Sequence, residues 1–231
     1  MYSILLFDAD DTLFDFERCE ANALHAAMDD CGLIYSKELN ALYSKVNLKL
    51  WKELERGKIT RERLISVRFR RFFDAAHISS DPEAMREAYP KRLSEQAVLF
   101  PGVPEMLKRL TDSKKYRLFV ITNGLKTTQS GRFDASGIKE FFEDIFISEE
   151  IGFNKPDKRY FDAIAGRIPG FDRERALIIG DSLSSDIKGG INAGIDTAWC
   201  NLKHGRNFTG IRPTYTFTSW DEMYGIIGVN R

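Results

Sequence analysis

The sequence of 231 residues is poor in several residue types whose abundance marks specialised classes of protein. Its 3 cysteines, Cys19, Cys31 and Cys200, have unrelated spacings and form no C-x-x-C pair, which argues against a disulfide framework and against a zinc site. Its 17 glycines and 7 prolines are too few for a collagen-like or low-complexity chain. The composition is therefore that of an ordinary globular protein.

The chain also has no excess of charge of either sign, since 34 Lys and Arg residues balance 34 Asp and Glu residues. Nucleic-acid binding normally requires a basic surface, and the short patch Arg68–Arg71 is typical of a solvated helix face, so we expect no nucleic-acid polymer as a partner. No apolar run approaches the ~18 residues of a membrane-spanning helix. The start MYSILLFDAD lacks the basic region of a secretory signal. We therefore expect a cytoplasmic protein with no membrane partner.

Short continuous apolar runs recur along the chain, as expected of strands buried on both faces of a parallel sheet. These runs are Ile4–Phe7, Leu118–Ile121, Ile145–Ile147 and Ala176–Ile179, with a weaker run at Thr197–Trp199 and an edge strand at Tyr215–Phe217. Apolar residues at helical spacing lie between the later runs. Strands that alternate with helices predict an α/β fold with a doubly wound, Rossmann-like parallel sheet.

The interval between the first two predicted strands differs, because it contains helical apolar spacing and no run typical of a buried strand. A crossover between parallel strands needs only about a dozen residues, so this much longer interval indicates an inserted helical module. We expect an α-helical cap at residues 17–97 and an α/β core made of residues 1–16 and 98–231. Since ligands of α/β sheets bind at the carboxyl ends of the strands, a module inserted there is well placed to act as a lid.

Three aspartates follow the first predicted strand within four positions, as Asp8, Asp10 and Asp11. Their mutual repulsion would be relieved by a divalent cation, and hard oxygen ligands favour magnesium. Alternate residues of an extended chain face the same side, so Asp8 and Asp10 can converge while Asp11 points away. Taken alone, the segment also fits a strand that simply ends in a polar turn.

Polar residues follow three further predicted strands, namely Thr122-Asn123, Lys155, Asp181 and Asp186. Each has a plainer explanation by itself: a strand-to-helix turn, a surface lysine, or a helix cap. A doubly wound sheet nevertheless brings the carboxyl ends of its strands to one edge, where all of them would lie beside the first acidic segment. The set then contains carboxylates that can bind a metal ion, a cation and hydrogen-bond donors that can bind an anion, and one carboxylate that is free to attack. This combination predicts a phosphoryl-transfer site with an aspartyl nucleophile.

The motifs DxDxT, hhhTN, KP and GDxxxxD, in this order, resemble those of the haloacid dehalogenase-like hydrolase superfamily. The helical insert after the first motif is similar to that of its C1-cap group. The stretches DADDTLFDF, ITNG, ISEEIG, KPDKRYFD and GDSLSSDIKGGINAG look most like its pyrimidine 5′-nucleotidase-like branch. The resemblance implies a magnesium-dependent phosphomonoester hydrolase that acts on a nucleoside 5′-monophosphate.

The resemblance also implies roles for the acidic residues. Asp8 would attack phosphorus, and Asp10 would protonate the leaving alkoxide and then activate water. Mg²⁺, with Mn²⁺ as an alternative, would be held by Asp8, the backbone carbonyl of Asp10, and Asp181. Asp186 would lie in the outer shell of the metal or orient Lys155.

The phosphoryl oxygens would be bound by Thr122, the backbone of Asn123, and Lys155. True dehalogenases of the superfamily lack an acid two residues after the nucleophile, so Asp10 favours ester hydrolysis. A sugar-phosphate phosphatase, a phosphomutase and a non-catalytic phosphate-binding protein remain alternatives. The expected partner is a small phosphate monoester, and the chain is expected to be a monomer or a weak homo-oligomer.

Aromatic residues near the predicted site offer stacking surfaces for a nucleotide base, although core packing is the plainer explanation for aromatics at helical spacing. The candidates are Phe14, Phe16, Trp51, Phe69, Phe72 and Phe73.

Overall fold

A computed structural model of the chain describes residues 1–228. Within them the strands are β1 (Ile4–Phe7), β2 (Arg117–Thr122), β3 (Asp144–Ile147), β4 (Ala176–Gly180), β5 (Asp196–Cys200) and β6 (Tyr215–Phe217). They form one sheet in the order β3-β2-β1-β4-β5-β6, and every neighbouring pair is parallel. The chain thus starts in the middle of the sheet and winds outward to both edges, which confirms the predicted doubly wound α/β fold.

Strand β1 shows why these segments are continuously apolar. All four of its residues are buried, and alternate side chains enter different cores. Leu5 and Phe7 pack on one face of the sheet, whereas Ile4 and Leu6 pack on the other. A strand that is covered by helices on both faces therefore does not alternate between polar and apolar residues. The apolar runs locate all six strands, with ends that differ by at most one residue.

Ten α-helices lie within the described residues. They are α1 (Phe16–Asp30), α2 (Lys37–Glu55), α3 (Arg61–Ala76), α4 (Pro82–Ser94), α5 (Val103–Asp112), α6 (Lys126–Ser136), α7 (Ser148–Ile151), α8 (Lys158–Arg167), α9 (Lys188–Ala193) and α10 (Trp220–Ile227). A π-helical turn, Leu183–Ile187, precedes α9. None of the helices within residues 1–228 is both long and apolar enough to cross a lipid bilayer.

Helices α1 to α4 follow β1 directly and precede α5, so they form an uninterrupted helical segment between the first two strands. Side chains of Ser36, Thr60 and Asp81 accept backbone N–H groups at the starts of α2, α3 and α4, which satisfies donors that the first turn leaves free. The apolar side chains of the four helices pack mainly on one another, around Tyr43, whose ring centroid lies 5.5 Å from that of Phe69.

The chain enters and leaves the helical segment through adjacent backbone. Phe14 pairs with Leu99 in an antiparallel bridge, and the N–H of Asp15 donates to the carbonyl of Val98 at 2.9 Å. The two connections therefore lie side by side near the carboxyl end of β1.

Candidate active site

The carboxyl ends of three neighbouring strands meet at the centre of the sheet. Asp8 follows β1, Thr122 ends β2, and Asp181 follows β4. Because β1 pairs with both β2 and β4, these three residues are brought to one edge. The N–H of Asp8 continues the ladder by donating to the carbonyl of Ile179 at 2.8 Å. The nucleophile candidate thus lies on rigid, hydrogen-bonded backbone.

Lys155 is the central cation of this edge, and it is buried with 1 % of its surface exposed. Its Nζ donates to Oδ1 of Asp8 and to Oδ1 of Asp186, both at 2.6 Å, and to the carbonyl of Ile121 at 2.8 Å. Burial by itself lowers the pKa of Lys155, but the carboxylates of Asp186 and Asp8 outweigh it and raise the pKa. The ammonium group therefore stays charged and bridges the two acids.

Three carboxylates gather beside this lysine. Oxygen atoms of Asp8, Asp181 and Asp186 all lie within 4.8 Å of one another. Burial, followed by repulsion from the neighbouring carboxylates, raises the pKa of Asp8 and of Asp181 well above the usual value. One lysine cannot neutralise three closely spaced acids, two of which are buried, so the donor set fits a hard divalent cation such as Mg²⁺.

Asp186 reaches this cluster by close packing against glycine. A Cβ atom added at Gly180 would lie 2.4 Å from Cγ of Asp186, so only glycine fits at the end of β4. Asp186 lies on the π-helical turn, and its Oδ2 accepts the N–H of Ser182 at 3.1 Å. Single π turns of this kind often occur at functional sites. Gly180 of the GDxxxxD motif is therefore a glycine because the side chain of Asp186, the second acid of that motif, packs against it.

The carboxylate of Asp10 has different partners from that of Asp8. Its Oδ2 accepts from Nε2 of Gln129 at 2.7 Å, and its Oδ1 forms an ion pair with Arg132. The fully buried Arg132 also donates to the carbonyl of Gln96 at 3.0 Å and lies 4.2 Å above the ring of Phe14. The sequence did not indicate Gln129 or Arg132, and their only signal is the spacing of three that places both on one face of α6.

Asp11 lines the same cavity as Asp8 and Asp10, but its hydrogen-bond partners are its own. Its φ of 58° is left-handed, a conformation that aspartate tolerates better than most residues. Its Oδ1 accepts from Nζ of Lys203 at 2.8 Å and from the N–H of Phe16 at 3.2 Å. Asp11 thus anchors the start of α1.

The loops after β2 and β3 are joined by Asn123. Its Nδ2 donates to the carbonyl of Lys155 at 2.9 Å, and its Oδ1 accepts the N–H of Lys155 at 2.9 Å. The Thr122 hydroxyl accepts the N–H of Gly124 at 3.1 Å. The side chain of Asn123 is therefore used to position Lys155, which the sequence did not predict.

The predicted site residues line one cavity of about 550 Å³, which lies between the sheet edge and helices α1, α2, α3 and α4. They are Asp8, Asp10, Thr122, Asn123, Lys155, Asp181 and Asp186. The volume is typical of a site for a small organic molecule. Its far wall is formed by the helical segment, so both parts of the chain contribute to the cavity.

The aromatic candidates are divided between the cavity and the cores. Phe16 and Trp51 line the cavity. Phe69, Phe72 and Phe73 pack in the core of the helical segment instead, so the hypothesis that they stack on a base is wrong. Phe14 is likewise buried in the sheet core.

The prediction that the patch Arg68–Arg71 is a solvated helix face is only partly right. Arg70 is exposed, as predicted, but Arg68 is buried with 3 % of its surface accessible, and it lines the cavity. The hydrophilic face of α3 is therefore not solvated throughout, because one arginine turns toward the interior between the helices.

A hydrogen-bonded bridge connects the helical segment to the sheet edge on one side of the cavity. Nζ of Lys52 donates to Oγ of Ser184 at 2.6 Å, and Ser184 donates to Oε2 of Glu55 at 2.8 Å. Lys52 and Glu55 lie on α2, whereas Ser184 lies on the π-helical turn that carries Asp186. The bridge ties the two walls of the cavity together.

Comparisons with known proteins agree with this geometry. Residues 5–200 match the family of haloacid dehalogenase-like hydrolases. The chain is 39 % identical to the HAD-hydrolase YfnB of Bacillus subtilis over 99 % of this chain and 96 % of that protein. It is 37 % identical to the pyrimidine 5′-nucleotidase PynA of Streptococcus pneumoniae, with the same coverage of 99 % and 96 %.

A third relative is the pyrimidine 5′-nucleotidase YjjG of Escherichia coli, which is 34 % identical over 95 % of each chain. The crystal structure of YfnB bound to magnesium matches 100 % of this chain and 99 % of that chain with a TM-score of 0.91 at 38 % identity. That structure is reported to reveal interdomain movement.

Proposed function

The chain belongs to the haloacid dehalogenase-like hydrolase family, and on that premise we propose that it is a magnesium-dependent phosphomonoesterase acting on nucleoside 5′-monophosphates. The observation that carries the proposal is the contact of Lys155 with both Asp8 and Asp186, with the acid Asp10 two residues beyond Asp8. A nucleophile, a neutralising cation and a second acid then line one cavity.

In the first step, an oxygen of Asp8 attacks phosphorus and the bond from phosphorus to the ester oxygen breaks. Asp10 gives its proton to the departing alkoxide, which leaves as an alcohol. Arg132 and Gln129 hold the Asp10 carboxyl in place for this transfer. Lys155 stabilises the negative charge that develops around the phosphoryl group.

In the second step, Asp10 takes a proton from water, and the resulting hydroxide attacks the aspartyl-phosphate. The bond between phosphorus and the Asp8 oxygen breaks, which releases inorganic phosphate and restores the carboxylate. Thr122 and the backbone of Asn123 bind phosphoryl oxygens in both steps. Each step is thus a displacement at phosphorus with Asp10 in alternating protonation states.

The metal would be held by Asp8, the backbone carbonyl of Asp10, and Asp181, with Asp186 next to them. When bound, Mg²⁺ supplies positive charge that lowers the repulsion between the phosphate dianion and the attacking carboxylate. Mn²⁺ has similar oxygen preferences and is proposed as a substitute. The acidic cluster of Asp8, Asp181 and Asp186 supports this assignment.

The nucleotide as substrate is supported by two relatives named pyrimidine 5′-nucleotidases, PynA and YjjG. We further propose that residues 17–97 act as a cap over the core formed by residues 1–16 and 98–231. A cytoplasmic location and a monomeric or weakly associating state are part of the same proposal. Size-exclusion chromatography with light scattering checks the last point.

The test of the function is a phosphate-release assay with Mg²⁺ over uridine, cytidine, adenosine and guanosine 5′-monophosphates, ribose 5-phosphate and a glucose phosphate. We expect release from nucleotides, and pyrimidine nucleotides are expected to be the preferred substrates. Isomerisation of the sugar phosphate faster than its hydrolysis would instead indicate a phosphomutase. Binding without release from any ester would contradict an enzymatic role.

A further inference from the structure

The three acids of the sheet edge are not held in the same way. Asp8 and Asp186 each accept a hydrogen bond from Nζ of Lys155 at 2.6 Å. Asp186 also accepts the N–H of Ser182 at 3.1 Å. The carboxylate of Asp181, by contrast, accepts no hydrogen bond from any group in the described part of the chain. The direction in which this carboxylate extends therefore depends on how its own backbone is held.

The backbone of Asp181 is held by a side chain of the neighbouring strand. Strand β4 ends at Gly180, so the regular ladder of the sheet does not extend to Asp181. Instead, Nε1 of Trp199 on β5 donates to the carbonyl of Asp181 at 2.7 Å. This distance is at the short end of the range for hydrogen bonds between an N–H group and a carbonyl. The indole thus replaces the ladder where the strand stops.

The register of the sheet explains why Trp199 can make this contact. Trp199 pairs with Gly180, the last residue of β4. Paired residues of neighbouring strands face the same side of a sheet, so the indole lies on the side where Asp186 packs against Gly180. From that position the ring has to reach only one residue further along the chain. An indole has a single N–H donor, and the carbonyl of Asp181 receives it.

The contact has a consequence for metal binding. Because the peptide group is planar, a fixed carbonyl of Asp181 fixes the plane that follows this residue, and with it the direction in which the side chain leaves the backbone. A ligand that is held in place beforehand loses less conformational freedom when the ion binds. Groups that orient a metal ligand in this way typically change metal affinity by about 10- to 100-fold when they are removed.

We propose that Trp199 is a positioning residue for Asp181, that it orients this acid for a divalent cation, and that its indole reports occupation of the metal site. The inference rests on the magnesium site of the proposed function and adds a residue outside the four motifs. Trp199 does not line the cavity, so it acts through Asp181 and not on the substrate.

The first experiment measures Mg²⁺ binding by isothermal titration calorimetry without substrate. Trp199→Phe keeps an aromatic ring and removes the N–H donor, so we expect the Kd for Mg²⁺ to rise by about tenfold or more. The matched control is Trp220→Phe, because Nε1 of Trp220 donates to the carbonyl of Pro101 at 3.2 Å and neither of these residues lines the cavity. The control is expected to keep its Kd within about twofold. Equal Kd values for the two variants would overturn the proposal.

The second experiment uses the indole as a spectroscopic probe. The chain has 3 tryptophans, Trp51, Trp199 and Trp220, so Trp51→Phe/Trp220→Phe leaves Trp199 alone. Because indole emission depends on the charge around the ring, we expect Mg²⁺ to change the emission of this variant with the half-saturation that calorimetry gives. Trp51→Phe/Trp199→Phe, which keeps only Trp220, should show constant emission. Constant emission from Trp199, while calorimetry records binding, would contradict the proposal.

Steady-state kinetics separates positioning from general damage to the fold. Trp199→Phe should raise the Mg²⁺ concentration that gives half-maximal phosphate release from UMP by about tenfold, with KM for UMP at saturating Mg²⁺ changed by less than about twofold. At saturating Mg²⁺, kcat should return to within about threefold of that of the unchanged protein. A kcat that stays lower at every Mg²⁺ concentration would show a structural role instead and would overturn the proposal.

Failure of the inference and failure of the proposed function give different results. If the unchanged protein binds Mg²⁺ and hydrolyses UMP, and Trp199→Phe binds Mg²⁺ equally well, positioning by Trp199 is wrong and the phosphatase function stands. If the proteins differ in Mg²⁺ binding as expected but no ester releases phosphate, the proposed function is wrong and the positioning of Asp181 stands. If the unchanged protein binds no Mg²⁺, both are wrong.

Discussion

Buried charges are partnered differently on the two walls of the cavity. At the sheet edge, Lys155 contacts two carboxylates within 2.6 Å, and a third acid lies beside them. On the helical wall, Asn47 and Arg68 keep polar atoms without any partner among residues 1–228. The sheet edge is arranged to neutralise charge, as the proposed reaction requires, whereas on the helical wall single polar atoms stay unpaired inside the packed helices.

The largest loss of activity is expected when the carboxylate of Asp8 is removed, and a neighbouring acid serves as the control. Asp8→Asn removes the proposed nucleophile, so we expect phosphate release from every ester to fall by more than about a thousandfold. The matched control is Asp11→Asn, because Asp11 is an adjacent acid whose contacts with Lys203 and Phe16 lie outside the acidic cluster. The control is expected to keep its activity within about threefold. Comparable loss in both variants would contradict the assignment of the nucleophile.

The second prediction compares the two buried cations. Lys155→Met leaves Asp8 and Asp186 without their shared cation, so the free energy of unfolding should fall by about 3 kcal/mol and turnover by about a hundredfold. Arg68→Met removes a guanidinium that has an unpartnered nitrogen but lies over the rings of Phe69 and Tyr89, and we expect its free energy of unfolding to fall by less, about 1 to 2 kcal/mol. Urea unfolding followed by circular dichroism measures both. Equal destabilisation would show that the two walls do not differ.

Metal binding gives a readout that is independent of turnover. The three acids of the sheet edge repel one another, and a bound divalent cation stabilises the folded state, by about 2.7 kcal/mol at a hundredfold excess over the dissociation constant. We expect Mg²⁺ to raise the melting temperature of the unchanged protein, and Asp181→Asn to abolish the increase. A similar increase in both proteins would place the metal elsewhere.

A smaller effect is expected from the residues that hold Asp10. Arg132→Met removes the ion pair of Asp10, and we expect kcat to fall by about tenfold with KM nearly unchanged, since the reacting atoms are still bound. Arg132→Lys, which keeps a cation, should recover part of this loss. A change in KM alone, measured by steady-state kinetics, would assign Arg132 to substrate binding.

The smallest effect is expected at the bridge between the walls. Ser184→Ala breaks the contacts of Ser184 with Lys52 and Glu55, and partly exposed pairs of this kind contribute roughly 0.2 to 1 kcal/mol. We expect KM to change by less than about fivefold. Ser66→Ala, on the exposed part of α3, serves as the control.

The sequence was most informative where one physical requirement determines the residue type. Burial on both faces makes each parallel strand apolar along its whole length. The apolar run therefore predicts both ends of strand Ile4–Phe7 correctly. The carboxyl ends of such strands meet at one edge, which is why the sequence alone groups Asp8, Lys155 and Asp181.

The remainder of the site depends on how helices pack, which a single sequence does not specify. Arg68 has the pattern of a surface arginine, and only the crossing of α3 with its neighbours turns it inward. Arg132 meets Asp10 across more than a hundred positions, and Asn47 meets Glu20 between two helices. Each of these contacts is fixed by tertiary geometry rather than by local spacing, so no motif could indicate it.

The pairing of Phe14 with Leu99 and of Asp15 with Val98 has a consequence for how the molecule can be altered. Because the helical segment begins and ends at neighbouring backbone, its exchange for another module, or for a short turn, leaves the order of the six strands intact. Substrate preference can therefore diverge by replacement of one contiguous piece of sequence. Asp8, Lys155 and Asp181 lie outside the exchanged segment, so such a replacement leaves them in place.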